Sequence, residues 1–283
     1  MKLTGIVDSH VHFWNPQAFR YPWLDDLPVL NRAFLPETFS QASAGAGVAK
    51  MVFVECGREV SESLQEVDWV SGLAKADPRL CAIVAHASLE NGSAARAELD
   101  SLAGRPLVKG VRRLLQGEPE AGFCLRDGFV AGVELLAEYA FTFDVCIRHD
   151  QLRAVTELVR RVPEVNFVLD HFGKPPVREA TVEPWAADLK ALGKLSNVSC
   201  KISGLTTEAD WAIWSPAELR PYFDTVLEAF GFDRILFGGD WPVCTLATDY
   251  QRWIETVAGF VDEASPDERD KLFRSNAERI YRI

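Results

Sequence analysis

Apolar positions gather along this chain in eight short runs, and the stretches between most of them space their apolar residues as helices do. The runs are GIVDSHVHF from Gly5, KMVFVEC from Lys50, LCAIVAHASL from Leu80, LVKGVRRLL from Leu107, FTFDVCIRHD from Phe141, VNFVLDHFG from Val165, NVSCKISGL from Asn197 and RILFGGDWPV from Arg234. Short, nearly continuous apolar runs predict strands buried on both faces, as in a parallel sheet. SESLQEVDWVSGLAKA places Leu64, Val67, Trp69, Val70 and Leu73 at helical spacing and closes at Asp77-Pro78. DQLRAVTELVRR offers Asp150 as an N-cap and ends in arginines that suit the helix dipole. SPDERDKLFRSNAERIY opens with Ser265 as N-cap and Pro266 at the first helical position. Eight strands alternating with helices predict one α/β domain over residues 1–283, a (β/α)8 barrel of the TIM type. An open doubly wound sheet is the alternative, but no G-x-G-x-x-G follows any of the strands.

Polar residues break the apolar pattern in one class of place. All five histidines, His10, His12, His86, His149 and His171, fall in or at the end of a predicted strand. In a (β/α)8 barrel the C-terminal strand ends converge on the active site. His10 and His12 are two residues apart, so both leave the same face of the first strand. They could ligate a metal or donate to a substrate oxygen. Asp240 ends the last strand after Gly238 and Gly239, which predict a tight turn with room above it. Strands one and eight are neighbours in a closed barrel, so Asp240 is expected to face the histidine pair. His171 and Lys174 follow the sixth strand, Glu55 ends the second and His149 the fifth. Only one of Arg112 and Arg113 can point inward, and Lys201 reads as half of an interior salt bridge. The first connection, WNPQAFRYPWLDDLPVLNRAFLP, is the longest, and reads both as a lid and as a packed cover for one barrel end.

Composition narrows the class of function. A net charge of −11 over 283 residues argues against nucleic acid and anionic membranes as partners. No apolar run reaches a membrane span, and the N-terminus lacks a signal-peptide pattern, which points to the cytoplasm. The six cysteines form no C-x-x-C pair and mostly sit in apolar runs, as reduced core residues do. Oligomeric state leaves no mark on the sequence.

DSHVHFW, RYPWL, LPVLNRAFLPE, GVRRLLQ, LDHFGKP and FGGDWPV, taken together, resemble the amidohydrolase superfamily. They are most similar to its amidohydrolase-2 branch of sugar lactonases (L-fuconolactonase, L-rhamnonolactonase) and pyrone-dicarboxylate lactonase. The resemblance implies a distorted (β/α)8 barrel and a hydrolase of carboxylic esters that opens a lactone. It puts Asp240 in the place of the base that activates water, and His10, His12 and His171 opposite the lactone carbonyl. The strand-four lysine that bridges two metals in many members has no counterpart, since Lys109 comes too early in VKGVRRLL. A two-metal site is therefore not expected. Either no cofactor is needed, or one divalent ion such as zinc is held by His10, His12 and Asp240, with Glu55 as a further ligand.

The chemistry of lactone opening asks for a base, and for donors to a developing oxyanion. Asp240 and the histidines meet those needs. Arg112, His149 and Lys174 are the candidate binders of hydroxyls or of the nascent carboxylate, and Trp14 and Trp241 offer a face for a deoxysugar methyl. The expected substrate is a small-molecule aldonolactone of L-fucono or similar configuration. The competing readings are a zinc-dependent decarboxylase of the aminocarboxymuconate-semialdehyde type and a non-catalytic barrel that binds sugar acids.

Overall fold

A computed structural model describes residues 3–283; the first two residues of the N-terminal segment read above lie outside the described residues. All eight apolar runs form strands: β1 (Ile6–Val11), β2 (Val48–Val54), β3 (Leu80–His86), β4 (Val108–Arg112), β5 (Thr142–Val145), β6 (Phe167–Leu169), β7 (Val198–Ile202) and β8 (Ile235–Phe237). They pair in sequence order, every neighbour parallel. The ring closes just beyond β8, where Val11 and Trp241 form a parallel bridge. This is a (β/α)8 barrel, and the open-sheet alternative is excluded. No helix among the described residues is long and apolar enough to cross a membrane.

The helices pack outside the barrel as their apolar stripes require. Helix Ser63–Ala76 buries Val67 and Val70. Helix Pro266–Asp270 has Ser265 as N-cap in a reciprocal capping box with Glu268. Asp150, in contrast, does not cap helix Leu152–Arg161. It lies exposed in the single turn His149–Gln151, and the longer Gln151 amide reaches back to accept from the Arg148 N–H at 2.8 Å.

Two layers fill the barrel interior. Where the strands begin, Val7, Val52, Val84, Val168 and Leu236 pack against Ala277 and Tyr281 of helix Asn276–Tyr281, which plugs that end. Above them lies a polar layer of Glu55, Arg112, Asp144, Asp170 and Lys201, all buried. Tyr281 joins the layers, its hydroxyl donating to Asp144 Oδ2 at 2.7 Å. The first connection crosses the opposite end. Trp14 and Phe34 form an antiparallel bridge there, while Tyr21, Leu24, Leu30 and Phe39 are buried beneath.

Tyr281→Phe removes a donor from a buried carboxylate and is expected to lower unfolding free energy by about 1.5–3 kcal/mol. Urea denaturation measures this, and an unchanged midpoint would show that the plug contributes no polar anchoring.

Candidate active site

At the C-terminal end of the strands three imidazoles surround one carboxylate. His10 Nε2 and His12 Nε2 stand 3.1 Å apart. Asp240 Oδ1 lies 3.5 Å from His12 Nε2, 3.7 Å from His10 Nε2 and 4.0 Å from His171 Nε2. All four residues are buried. The local backbone is strained to put them there. Asp240, His171, Phe172 and Lys174 adopt positive φ of 53°, 54°, 58° and 51°, a region that residues with a Cβ enter at a cost and that clusters at functional sites.

Each imidazole is held through its Nδ1. That of His12 donates to the Val54 carbonyl at 2.7 Å, which leaves Nε2 bare. That of His171 meets the Ser203 hydroxyl at 2.9 Å. That of His10 sits between Lys201 Nζ at 3.1 Å and Asp170 Oδ1 at 3.3 Å. Burial pulls His10 well below the ordinary imidazole value, reinforced by Lys201 and opposed by Asp170, and burial brings His171 down to about 4 against the pull of Asp240. Both rings are therefore neutral at pH 7. Burial alone would raise the Asp240 carboxyl, but the surrounding imidazoles of His171, His12 and His10 hold it far below the carboxylate range. It is ionised at neutral pH.

A cavity of about 390 Å³ opens over this cluster. Trp14, Trp23 and Leu27 of the first connection, with Leu114, give it an apolar wall. Gln116, Lys174 and Thr207 give it a polar one, in which Lys174 Nζ donates to Gln116 Oε1 at 2.5 Å. The first connection is thus both cover and lining. Trp23, Gln116 and Thr207 escaped the sequence reading, because nothing in an isolated loop segment shows which way a side chain faces.

Three expected site residues lie elsewhere. Trp241 is buried against Phe34 and Phe39, at ring-centroid distances of 5.5 and 5.3 Å, outside the cavity. Neighbouring residues at a strand end face opposite ways, and with Asp240 inward Trp241 turns out. His149 stands beyond the inward Cys146 at the rim, its Nδ1 3.3 Å from the Lys174 carbonyl, and does not line the cavity. Glu55 is unsuited to hold a metal, since its oxygens accept from Arg112 Nε at 2.9 Å and Arg58 Nη1 at 3.0 Å. Arg112, the inward member of its pair, lines the cavity while bound to Glu55 and Asp170. Arg113 turns out to Glu90 and Glu118. Gly238 and Gly239 do not supply the turn, which falls on Asp240. They admit close packing instead, because a Cβ at Gly238 would lie 2.8 Å from His10 Cβ.

The donors fit a single metal ion. One atom each from His10, His12 and Asp240 lies within a 4.8 Å span, and so does one each from His10, Asp170 and His171. Two Nε2 atoms 3.1 Å apart suit imidazole ligands at about 2.0–2.1 Å from one zinc.

Residues 7–283 match the amidohydrolase family. The chain belongs to that family. It is 32% identical to an L-fucono-1,5-lactonase of Burkholderia multivorans, over 98% of this chain and 96% of that protein. It is 26% identical to an L-rhamnono-gamma-lactonase of Scheffersomyces stipitis, over 62% of this chain and 60% of the relative. Among solved structures, an amidohydrolase from Burkholderia multivorans with bound zinc superposes with a TM-score of 0.90 at 31% identity, covering 99% of this chain and 100% of that one.

Behind the site, Arg58 lies between Glu55 and Glu66, its Nε 3.5 Å from Glu66 Oε2. Burial lifts the Glu66 carboxyl to about 8, opposed by Arg58 and reinforced by Glu55. The folded chain therefore keeps a proton that the unfolded chain loses near the ordinary value of 4.5, and stability declines as pH rises between the two. Glu66→Gln removes this titration. Its stability relative to the parent should rise by more than about 1 kcal/mol between roughly pH 5 and pH 8. Chemical denaturation at both pH values tests this, and a constant difference would contradict it.

Proposed function

We propose that this amidohydrolase opens an aldonolactone, of L-fucono or closely similar configuration, to the sugar acid. The observation that carries the proposal is the ionised Asp240 carboxylate, 3.5–4.0 Å from three imidazole Nε2 atoms, at the floor of a cavity with one polar and one apolar wall. The lactonase names of the relatives, at 32% and 26% identity, agree with it.

In this reading Asp240 takes the proton of the attacking water. With Ser203 donating to its Nδ1, His171 presents an Nε2–H toward the cavity, where it can stabilise the oxyanion growing on the carbonyl oxygen. Preorganised donors of this sort are worth about 3–4 kcal/mol each in acyl transfer. When bound, a divalent ion on His10, His12 and Asp240 would supply Lewis acidity at that oxygen. Lys174, Gln116 and Thr207 read the ring hydroxyls, and Trp14, Trp23, Leu27 and Leu114 accept an apolar substituent. A lactone without hydroxyls would leave the polar wall unpaired, which such sites penalise heavily.

Asp240→Asn should lower kcat by about 10²- to 10⁴-fold with the fold intact by circular dichroism. Near-normal turnover in the folded variant would remove Asp240 from the base role.

Substrate class is tested by a pH-indicator screen over L- and D-aldonolactones, homoserine lactones and pyrones. The highest kcat/KM is expected on an L-fucono-like lactone. A homoserine lactone or pyrone turned over faster than every aldonolactone would overturn the proposal.

A further inference from the structure

His10 Nδ1 has two claimants, and they demand opposite protonation. Lys201 Nζ, an obligate donor, is aligned on it at 3.1 Å. Asp170 Oδ1, an obligate acceptor when ionised, lies 3.3 Å away. Lys201 is fully buried in β7 and also donates to Asp144 Oδ2 at 2.6 Å. Asp170 Oδ1 is an ion-pair neighbour of the ammonium at 3.0 Å, yet it is a buried atom without an aligned hydrogen bond. One claimant is thus engaged and the other is in reserve.

We propose that Lys201 is a positioning residue that sets the tautomer of His10, and that Lys201 and Asp170 together make this ring a two-position element, one position for the metal-free cluster and one for the metal-bound cluster. With Lys201 donating to Nδ1, the proton of the neutral ring sits on Nε2. There it points at the bare Nε2 of His12, 3.1 Å away, whose own Nδ1–H is satisfied by Val54. The chain Lys201 to His10 to His12 to the Val54 carbonyl is then complete, with every donor meeting an acceptor and no metal required. Arg112 Nη1 also approaches His10 Nε2, at 3.4 Å, but is better placed on Asp170 Oδ2 at 3.1 Å. A metal needs both Nε2 atoms bare. Moving one proton of the same ring from Nε2 to Nδ1 provides this without changing the ring's charge. The relocated proton finds Asp170 Oδ1, in the carboxylate–histidine arrangement that orients metal-binding imidazoles. Lys201 then loses a partner, so it opposes metal binding and Asp170 favours it.

The inference concerns the histidine cluster alone and does not depend on which lactone is opened. Its test is long-range 1H–15N correlation spectroscopy on 15N-histidine-labelled protein, stripped with a chelator and then titrated with zinc, with His10→Gln identifying the signal. His10 should carry its proton on Nε2 in the stripped protein and on Nδ1 after one equivalent of zinc. A proton on Nδ1 in the stripped protein would overturn the proposal, as would a tautomer unmoved by zinc or no zinc binding at all. Lys201→Met should put the proton on Nδ1 without metal and tighten zinc binding at least tenfold. Should that variant not fold, Asp170→Asn should keep Nε2–H in the stripped state and weaken zinc binding at least tenfold, and unchanged zinc affinity there would count against the proposal.

Discussion

The barrel closes through one narrow seam, and the candidate chemistry stands on it. β8 spans only Ile235–Phe237, and among the described residues no ladder pairs it with β1. The joint is completed past its end by His12 N–H to the Trp241 carbonyl and Asp240 N–H to the His10 carbonyl, both at 2.8 Å. Asp8 clips the seam from outside. One of its oxygens accepts from the N–H groups of His10 and Gly239 at 3.0 and 2.8 Å, and the other from the Tyr250 hydroxyl at 2.6 Å. These bonds fix the separation between the histidine pair and Asp240. The glycines matter here because the seam is tight.

Beneath the seam, charges of alternating sign run through Arg58, Glu55, Arg112, Asp170, Lys201 and Asp144. A buried ionic network of this kind is weak support for stability, since desolvation offsets much of its attraction. Its position suggests what it is kept for. It holds a lysine and a carboxylate against one imidazole nitrogen and ties that nitrogen to the rest of the barrel, out to the C-terminal helix through Tyr281. The strained backbone at Asp240 and His171 persists because this framework leaves those side chains few other places to go.

The two walls of the cavity have different origins. The polar wall comes from residues just past β4, β6 and β7, on short segments anchored to the barrel. Most of the apolar wall comes from the long first connection, whose own core of Tyr21, Leu24 and Phe34 holds Trp14 and Trp23 in place. The cavity lining can therefore vary through one loop while the histidine–aspartate cluster stays fixed.

What the sequence determined by itself was the architecture and the identity of the central residues. Eight apolar runs were enough for eight parallel strands, because strands buried on both faces must be apolar along their length. His10, His12, His171 and Asp240 were legible because ionisable residues at the ends of such runs have few structural uses. The inward choice of Arg112 over Arg113 remained for the structure to make. Asp8, Asp170 and Lys201 carried the same signal, being charges inside apolar runs, but only the tertiary structure showed that they clip the seam and brace the histidine–aspartate cluster. It also placed Trp241 and His149 away from the cavity lining, tied Glu55 to Arg112 and Arg58, and put Trp23, Gln116 and Thr207 on the cavity wall. The physical reason is common to all of these. Period and composition fix which element a residue belongs to, whereas the direction of a side chain past the end of a strand, and the partner that claims a buried charge, depend on segments far away in the chain.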